Sequence, residues 1–348
     1  MIPLRVVLVA LIALQTAVAP DLATAVRARM EKGRHGGMVA GVLAADGRTM
    51  TAGYGNSGST SFALNDRTVF EIGSITKVFT TTLLSEMAER GEVRFDDPVA
   101  KHLPASVSVP QRSGRQITLV DLATHTSGLP RLMTNMKPAD PRNPYADYSV
   151  DQLYAFLSGH QLTRDIGAQY EYSNVGMGLL GHVLALRAGR SYEELVTDRI
   201  LRPLAMKDTA ITLTSKLKER LAFGFGLTGM RASNWDIPTL AGAGALRSTV
   251  HDMLLFARAN LTSRGDDVSR AMQRTHEVRH PTGRPGLSIA LGWHVRQADG
   301  AEVHWHNGGT GGYRSWMGFD LKRKVAAVVL TNSAQSADDF GLELVIAK

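Results

Sequence analysis

Cysteine is absent from the 348 residues. Its absence excludes a disulfide framework, a thiol nucleophile, a lipid-attachment cysteine and any cysteine metal site. The fold must therefore hold by packing alone, and with 44% hydrophobic and 20% charged positions the chain can bury a sizeable core as one large domain or two intimate subdomains. No internal repeat, low-complexity tract or long linker separates independent domains. A basic run interleaved with aromatics is also missing. The 39 Lys and Arg residues are dispersed, so the net charge of +7 reads as a solvated basic face rather than a nucleic-acid surface. No G-x-S-x-G elbow occurs, which excludes an α/β-hydrolase esterase. Gly224-Phe225-Gly226-Leu227-Thr228-Gly229 matches G-x-G-x-x-G but opens no apolar helix before Pro238, so a nucleotide-binding loop is excluded as well.

The N-terminus reads Met1-Ile2-Pro3-Leu4-Arg5, then an apolar run from Val6 to Leu14, then Ala17-Val18-Ala19. This is the layout of a secretory signal peptide, and the run is too short to span a bilayer. Pro20 crowds a cut after Ala19, and Ala23-Thr24-Ala25 offers a second site. The leader is therefore assigned to residues 1–25 and one domain to residues 26–348. The protein is expected to be periplasmic or secreted, with no stable membrane anchor.

Two β-type stretches, Met38 to Ala44 and Thr49 to Tyr54, flank Asp46-Gly47 and predict an N-terminal hairpin. Helical patterns follow over Ile75 to Arg90, Leu119 to Thr124, Val175 to Arg187, Tyr192 to Ile200 and Val250 to Asn260. Capping signals sit at Thr118 with Asp121, Ser191 with Glu194 and Thr249 with Asp252. Strand patterns return at Gly292 to Val295, Val303 to His306, Ser315 to Asp320 and Val325 to Thr331, before a last helix from Ala337. The fold class is α+β: an antiparallel sheet built from segments 37–56 and 290–335, packed with helices, with a mostly helical insertion over 75–260.

Three short patterns carry chemistry. In Phe70-Glu71-Ile72-Gly73-Ser74-Ile75-Thr76-Lys77, Ser74 and Lys77 fall one helical turn apart, ahead of the apolar face of Val78, Phe79, Leu83, Leu84 and Met87. A serine hydroxyl attacks only when a neighbour takes its proton, and a lysine desolvated over a helix N-terminus is neutral often enough to do so. The serine N–H at the helix start is placed to meet an oxyanion. Ser215-Lys216-Leu217-Lys218 repeats the spacing without the glycine or the apolar face, and is read as chance. In Gln169-Tyr170-Glu171-Tyr172-Ser173-Asn174, the Tyr172 phenol is placed to shuttle a proton if cations lower its pKa, and Asn174 offers a donor and an acceptor to an amide. The bland reading makes Tyr172 a helix-entry residue with Asn174 as N-cap. Finally, His304-Trp305-His306-Asn307-Gly308-Gly309-Thr310 runs from a strand edge into a glycine-rich turn, where Gly309 N–H supplies a second oxyanion donor. His304 and His306 share one face of the strand, but no third ligand accompanies them, so no metal is expected.

Taken in this order, Ser-x-x-Lys, Tyr-Ser-Asn and His-Asn-Gly-Gly resemble the motifs of class C β-lactamases, serine D-alanyl-D-alanine peptidases and β-lactamase-like esterases. Ile117 to Pro130 and Arg202 to Thr209 resemble further stretches of the same group, and the likeness spans about Gly37 to Asn332. It implies an acyl-enzyme on Ser74, activated by Lys77 with Tyr172 as relay. It also implies that Asn174, His306, Gly308, Gly309 and Thr310 contact the substrate. The implied partner is a small-molecule β-lactam or peptidoglycan peptide, met by a monomer without cofactor. His306 is the departure, because class C lactamases carry lysine there. As an imidazolium it would grip a substrate carboxylate more weakly and in a pH-dependent way. No separate glutamate can be assigned as a deacylation base, which leaves Tyr172 or the substrate itself.

Overall fold

A computed structural model describes residues 18–32, 35–263 and 265–347. Its centre is an eight-stranded antiparallel sheet in which the chain's two ends meet. The strands are β1 (Gly37–Leu43), β2 (Thr49–Gly55), β3 (His280–Arg284), β4 (Leu287–Ile289), β5 (His294–Ala298), β6 (Ala301–Gly309), β7 (Arg314–Asp320) and β8 (Val325–Thr331). Their spatial order is β2-β1-β8-β7-β6-β5-β4-β3. The N-terminal hairpin pairs with the last strand, from Met38 opposite Thr331 to Leu43 opposite Ala326. The α+β class and the pairing of the terminal segments are thus as the sequence pattern implies. The sheet runs one hairpin further than expected, through β3 and β4, and Gly47, at φ +85°, turns the first hairpin.

Helices cover both faces. On one face α1 (Val18–Glu31) and the C-terminal helix α11 (Asp338–Ile346) bury Leu22, Val26, Met30 and Phe340 against the sheet. Residues 1–17 of the assigned leader lie outside the described residues, but its end does not. Leu22 is part of this core, so the boundary at residue 25 divides a packed helix: a cut after Ala25 removes Leu22, whereas a cut after Ala19 keeps it. On the other face α9 (Val250–Leu261) lies across β8 and β1, with α2 (Thr76–Glu89) and α10 (Asp267–Thr275) behind it. The Phe79 and Phe256 rings join α2 to α9, stacked 4.1 Å apart.

The remaining helices form the inserted layer: α3 (Leu119–Ala123), α4 (Val150–Gly159), α5 (Asn174–Ala188), α6 (Tyr192–Val196), α7 (Ser215–Lys218) and α8 (Ala241–Gly244). The caps read from sequence act as such: Thr118–Asp121 and Ser191–Glu194 are reciprocal capping boxes, and Thr249 accepts from Asp252 N. The pattern over Tyr192 to Ile200 resolves into α6 and a wider π turn, Thr197–Leu201. Helix α2 is buried on every side from Thr76 to Met87, not on one face alone. That placement decides the chemistry of Lys77.

Candidate active site

Gly73, at φ +49°, turns the chain out of a short bridge strand and into the Gly73–Ile75 3₁₀ turn that leads α2. Ser74 stands on that turn at the edge of a cleft, and Lys77 lies one turn on, with no exposure. The Lys77 Nζ donates to Ser74 Oγ at 2.9 Å and to the carbonyl of Ala243, on α8, at 2.6 Å. Desolvation, and next the Arg131 guanidinium, hold the amine well below the usual lysine range. Burial thus favours the uncharged amine beside the serine hydroxyl, and no carboxylate partners it among the described residues.

Strand β6 closes on the same turn from the sheet side. A Cβ on Gly73 would lie 2.7 Å from Gly309 N, and one on Gly308 would lie 2.0 Å from Ile72 O and 2.4 Å from Ser315 Oγ. Both positions need glycine for contact, and the contact brings the Gly309 backbone beside Ser74. By contrast, Ser215 and Lys218 sit exposed on the four-residue α7, capped by Thr214. The second S-x-x-K match has no such surroundings.

Tyr172 reaches the site from the turn before α5, with its ring 5.0 Å from the Lys77 amine and its phenol near enough to Ser74 for the hydroxyl to bear on its titration. The N-cap of α5 is Ser173, which accepts from Gly176 N at 2.9 Å and donates to Pro130 O at 2.7 Å. Asn174 is thus not the cap, and its side chain is released toward the cleft. Its Nδ2 donates to the Tyr145 hydroxyl at 3.4 Å, and its buried Oδ1 has no protein partner among the described residues. The Lys77 amine and the Arg131 guanidinium each lie 5.0 Å from the centroid of the Tyr172 ring. The expected lowering of the phenol pKa does not result. Burial raises it and outweighs the Ser74 hydrogen bond and Arg131, so Tyr172 is a neutral O–H able to accept and donate.

His306 requires a correction. It has no exposure and does not line the cleft, and its Nδ1 faces Asn307 O at 2.5 Å. Desolvation, then His294 and Lys77, hold its pKa well below 6.5. It is a neutral ring under Tyr172, 6.1 Å between centroids, and not an imidazolium facing a carboxylate. Strand β5, which packs His294 5.3 Å from it, supplies the burial that sequence could not show. His304 shares its face but hydrogen-bonds through Nε2 to His276 O at 3.0 Å and stacks on Phe319. Asn307, Gly308, Gly309 and Thr310 do line the cleft, with Asn307 Nδ2 donating to Asp338 Oδ2 at 2.7 Å.

The cleft encloses about 1180 Å³ and is ringed by guanidinium groups that sequence reasoning missed: Arg131, Arg284, Arg296 and Arg314. Arg314 Nη1 is held by the carbonyls of Thr310 and Tyr313, both at 2.8 Å. None of the four makes an ion pair with a carboxylate among the described residues. Glu171, in the wall, is instead paired with Arg164. Of the four, Arg131 alone adjoins a family-like stretch in the sequence, directly following Pro130.

The family model described as Beta-lactamase matches residues 22–347. The chain is 31% identical over 281 residues to the D-alanyl-D-alanine-carboxypeptidase/endopeptidase AmpH of Escherichia coli K12, covering 76% of this chain and 71% of the relative. Among solved structures, a β-lactamase/D-alanine carboxypeptidase from Yersinia pestis superposes with a TM-score of 0.79 at 25% identity, covering 93% of each chain. A class C β-lactamase superposes at 0.81 with 21% identity, covering 95% of this chain and 96% of the other, a likeness of fold.

Proposed function

The chain belongs to the β-lactamase family of serine hydrolases, and on that premise we propose that it is an exported peptidase of the D-alanyl-D-alanine carboxypeptidase type, which β-lactams acylate as substrate mimics. The observation that carries the reading is the neutral Lys77 amine 2.9 Å from Ser74 Oγ. It lies at the foot of an open cleft whose wall carries four guanidinium groups.

In this mechanism Ser74 Oγ attacks the acyl carbon as its proton passes to the Lys77 lone pair. The oxyanion forms between the Ser74 and Gly309 N–H groups. Asn174, whose Oδ1 lacks a protein partner, accepts from the substrate amide N–H. The proton then travels from Lys77 through the Tyr172 hydroxyl to the leaving amine, which departs as the acyl–nitrogen bond breaks. Water enters on the reverse route and releases the acid. Two carboxylates line the cleft: Glu171 is paired with Arg164, and Asp338 accepts from Asn307 Nδ2, which keeps both out of this step.

A neutral His306, taken alone, favours a neutral ester as substrate. The four guanidiniums around the cleft favour an anionic one, because a ring of positive charge attracts and can pair with a ligand of opposite sign. Arg131, over the Tyr172 ring, takes the carboxylate contact expected of His306.

The test follows a D-alanyl-D-alanine peptide, a fluorescent penicillin and a neutral p-nitrophenyl ester in parallel. Release of D-alanine, penicillin labelling lost in Ser74→Ala but kept in Ser215→Ala, and weakening of both by salt are expected. Ester turnover without D-alanine release or labelling would overturn the reading.

A further inference from the structure

The proton relay has a support that none of the three motifs contains. His125 follows α3 in the left-handed region, at φ +58°, an uncommon state for a residue other than glycine. It is 1% exposed. From there it grips both neighbours of Tyr172. Its carbonyl accepts from Glu171 N at 2.8 Å, and its Nδ1 accepts from Ser173 N at 3.1 Å. Between those two bonds its ring lies 4.6 Å from the Tyr172 ring, tilted by 33°, and meets Tyr170 edge-on at 5.8 Å. A residue in an uncommon backbone state persists only where its surroundings over-determine it, and here that state sets the His125 carbonyl on Glu171 and its ring on Tyr172 and Ser173.

We propose that His125 is the positioning residue that holds the Tyr172 hydroxyl on Ser74. The Ser173 N–H is one of the early orphan donors of α5, so the His125 acceptor fixes where that helix begins. The ring then sets the tilt of the phenol. Only the neutral ring accepts at Nδ1. Burial, the largest cause, holds its pKa well below the usual 6.5, so the acceptor is present near neutral pH.

This inference rests on Tyr172 acting as the relay, and the experiment separates the two. Acylation by fluorescent penicillin is timed in His125→Phe, His125→Asn, Tyr172→Phe and the double variant His125→Phe/Tyr172→Phe, with thermal melts and non-covalent penicillin affinity alongside. His125→Phe keeps a ring and loses the acceptor, and is expected to slow acylation about 10- to 100-fold at unchanged affinity, the size of a small misplacement. Asparagine tolerates the left-handed region and carries an oxygen near the Nδ1 position, so His125→Asn is expected to recover to within about fivefold. In the Tyr172→Phe background, His125→Phe is expected to cost less than about threefold, because there is no hydroxyl left to aim.

An equal cost in both backgrounds, or a folded His125→Asn as slow as His125→Phe, would overturn the proposal. If His125→Phe does not fold, His125→Gly replaces it: relief of strain without rescue of rate supports the clamp, and a wild-type rate overturns it. Wild-type acylation in Tyr172→Phe alone removes Tyr172 from the relay, which is a different failure.

Discussion

Acid should unfold this protein by charging histidines that the native state keeps neutral. His294 and His276 are buried, with pKa values pushed down to about 4 and about 3 by desolvation first, helped by Arg284 and Lys77 for the one and His304 for the other. In the unfolded chain both return to the ordinary histidine value of about 6.5. Their folded values lie below their unfolded ones, so between the two the unfolded state binds the extra protons and stability falls as pH falls. Going from pH 7 to pH 5, each group costs about 1.8 kcal/mol, or nearly 4 kcal/mol together. At the usual unfolding entropy per residue, a chain of this length loses about 5 °C of Tm.

His125, His304 and His306 are lowered too and act with the same sign. Glu71, Asp252 and Asp338 are raised by burial, and they oppose the trend once pH approaches their own range. The assay is a series of thermal melts from pH 7.5 to pH 5 on wild type and His294→Gln. The variant should show a shallower slope, by about 1.8 kcal/mol over two pH units, whatever its Tm at pH 7. A flat wild-type profile, or identical slopes for the two proteins, would refute the neutral burial of these rings.

Lys77→Met keeps the length of the side chain and removes the amine. Penicillin acylation should fall by about 10²- to 10⁴-fold, the range for a general base, with no loss of fold. Because the folded pKa of Lys77 lies below 10.5, wild-type stability should rise with pH toward 10.5 and that rise should vanish in the variant; acylation within tenfold of wild type would remove Lys77 as base. Gly308→Ala places a Cβ 2.0 Å from Ile72 O. It should lower stability by about 1–3 kcal/mol, as overpacking does, and slow acylation as Gly309 shifts with the strand. An unchanged melt and rate would show that the strand does not abut the nucleophile turn.

Much of this was legible because it is local. Ser74 and Lys77 are fixed by a helix start, the terminal strands by alternation, and three helix caps by residues three apart. What escaped is set by residues distant in sequence. The β3–β4 hairpin, running through Pro281, Gly283, Pro285 and Gly286, is half exposed and lacks alternating apolar residues, so it reads as loop. Helix α4 carries a capping box of Ser149 with Gln152 that was available and overlooked. The partial charge weighed for His306 and the cation-lowered phenol weighed for Tyr172 both give way to burial, for one reason. A motif shows which groups are near one another in sequence, but desolvation depends on what the sheet and the insertion stack over them.

That reason also explains how one cleft holds a neutral lysine and four arginines. The proton-handling groups, Lys77, Tyr172, His125, His294 and His306, form an inner layer between α2, α5 and the β5–β6 edge, where desolvation removes charge from every amine and imidazole. Arg131, Arg284 and Arg296 stand instead at exposed positions around the cleft, outside that buried layer. Arg131 bridges the layers, since its charge lies over the Tyr172 ring and contributes to the lowering of Lys77 and His125. An anionic substrate that settles against Arg131 offsets that charge. In the proposed mechanism, the same contact that holds the carboxylate would therefore ease the protonation of Lys77 that accompanies attack by Ser74.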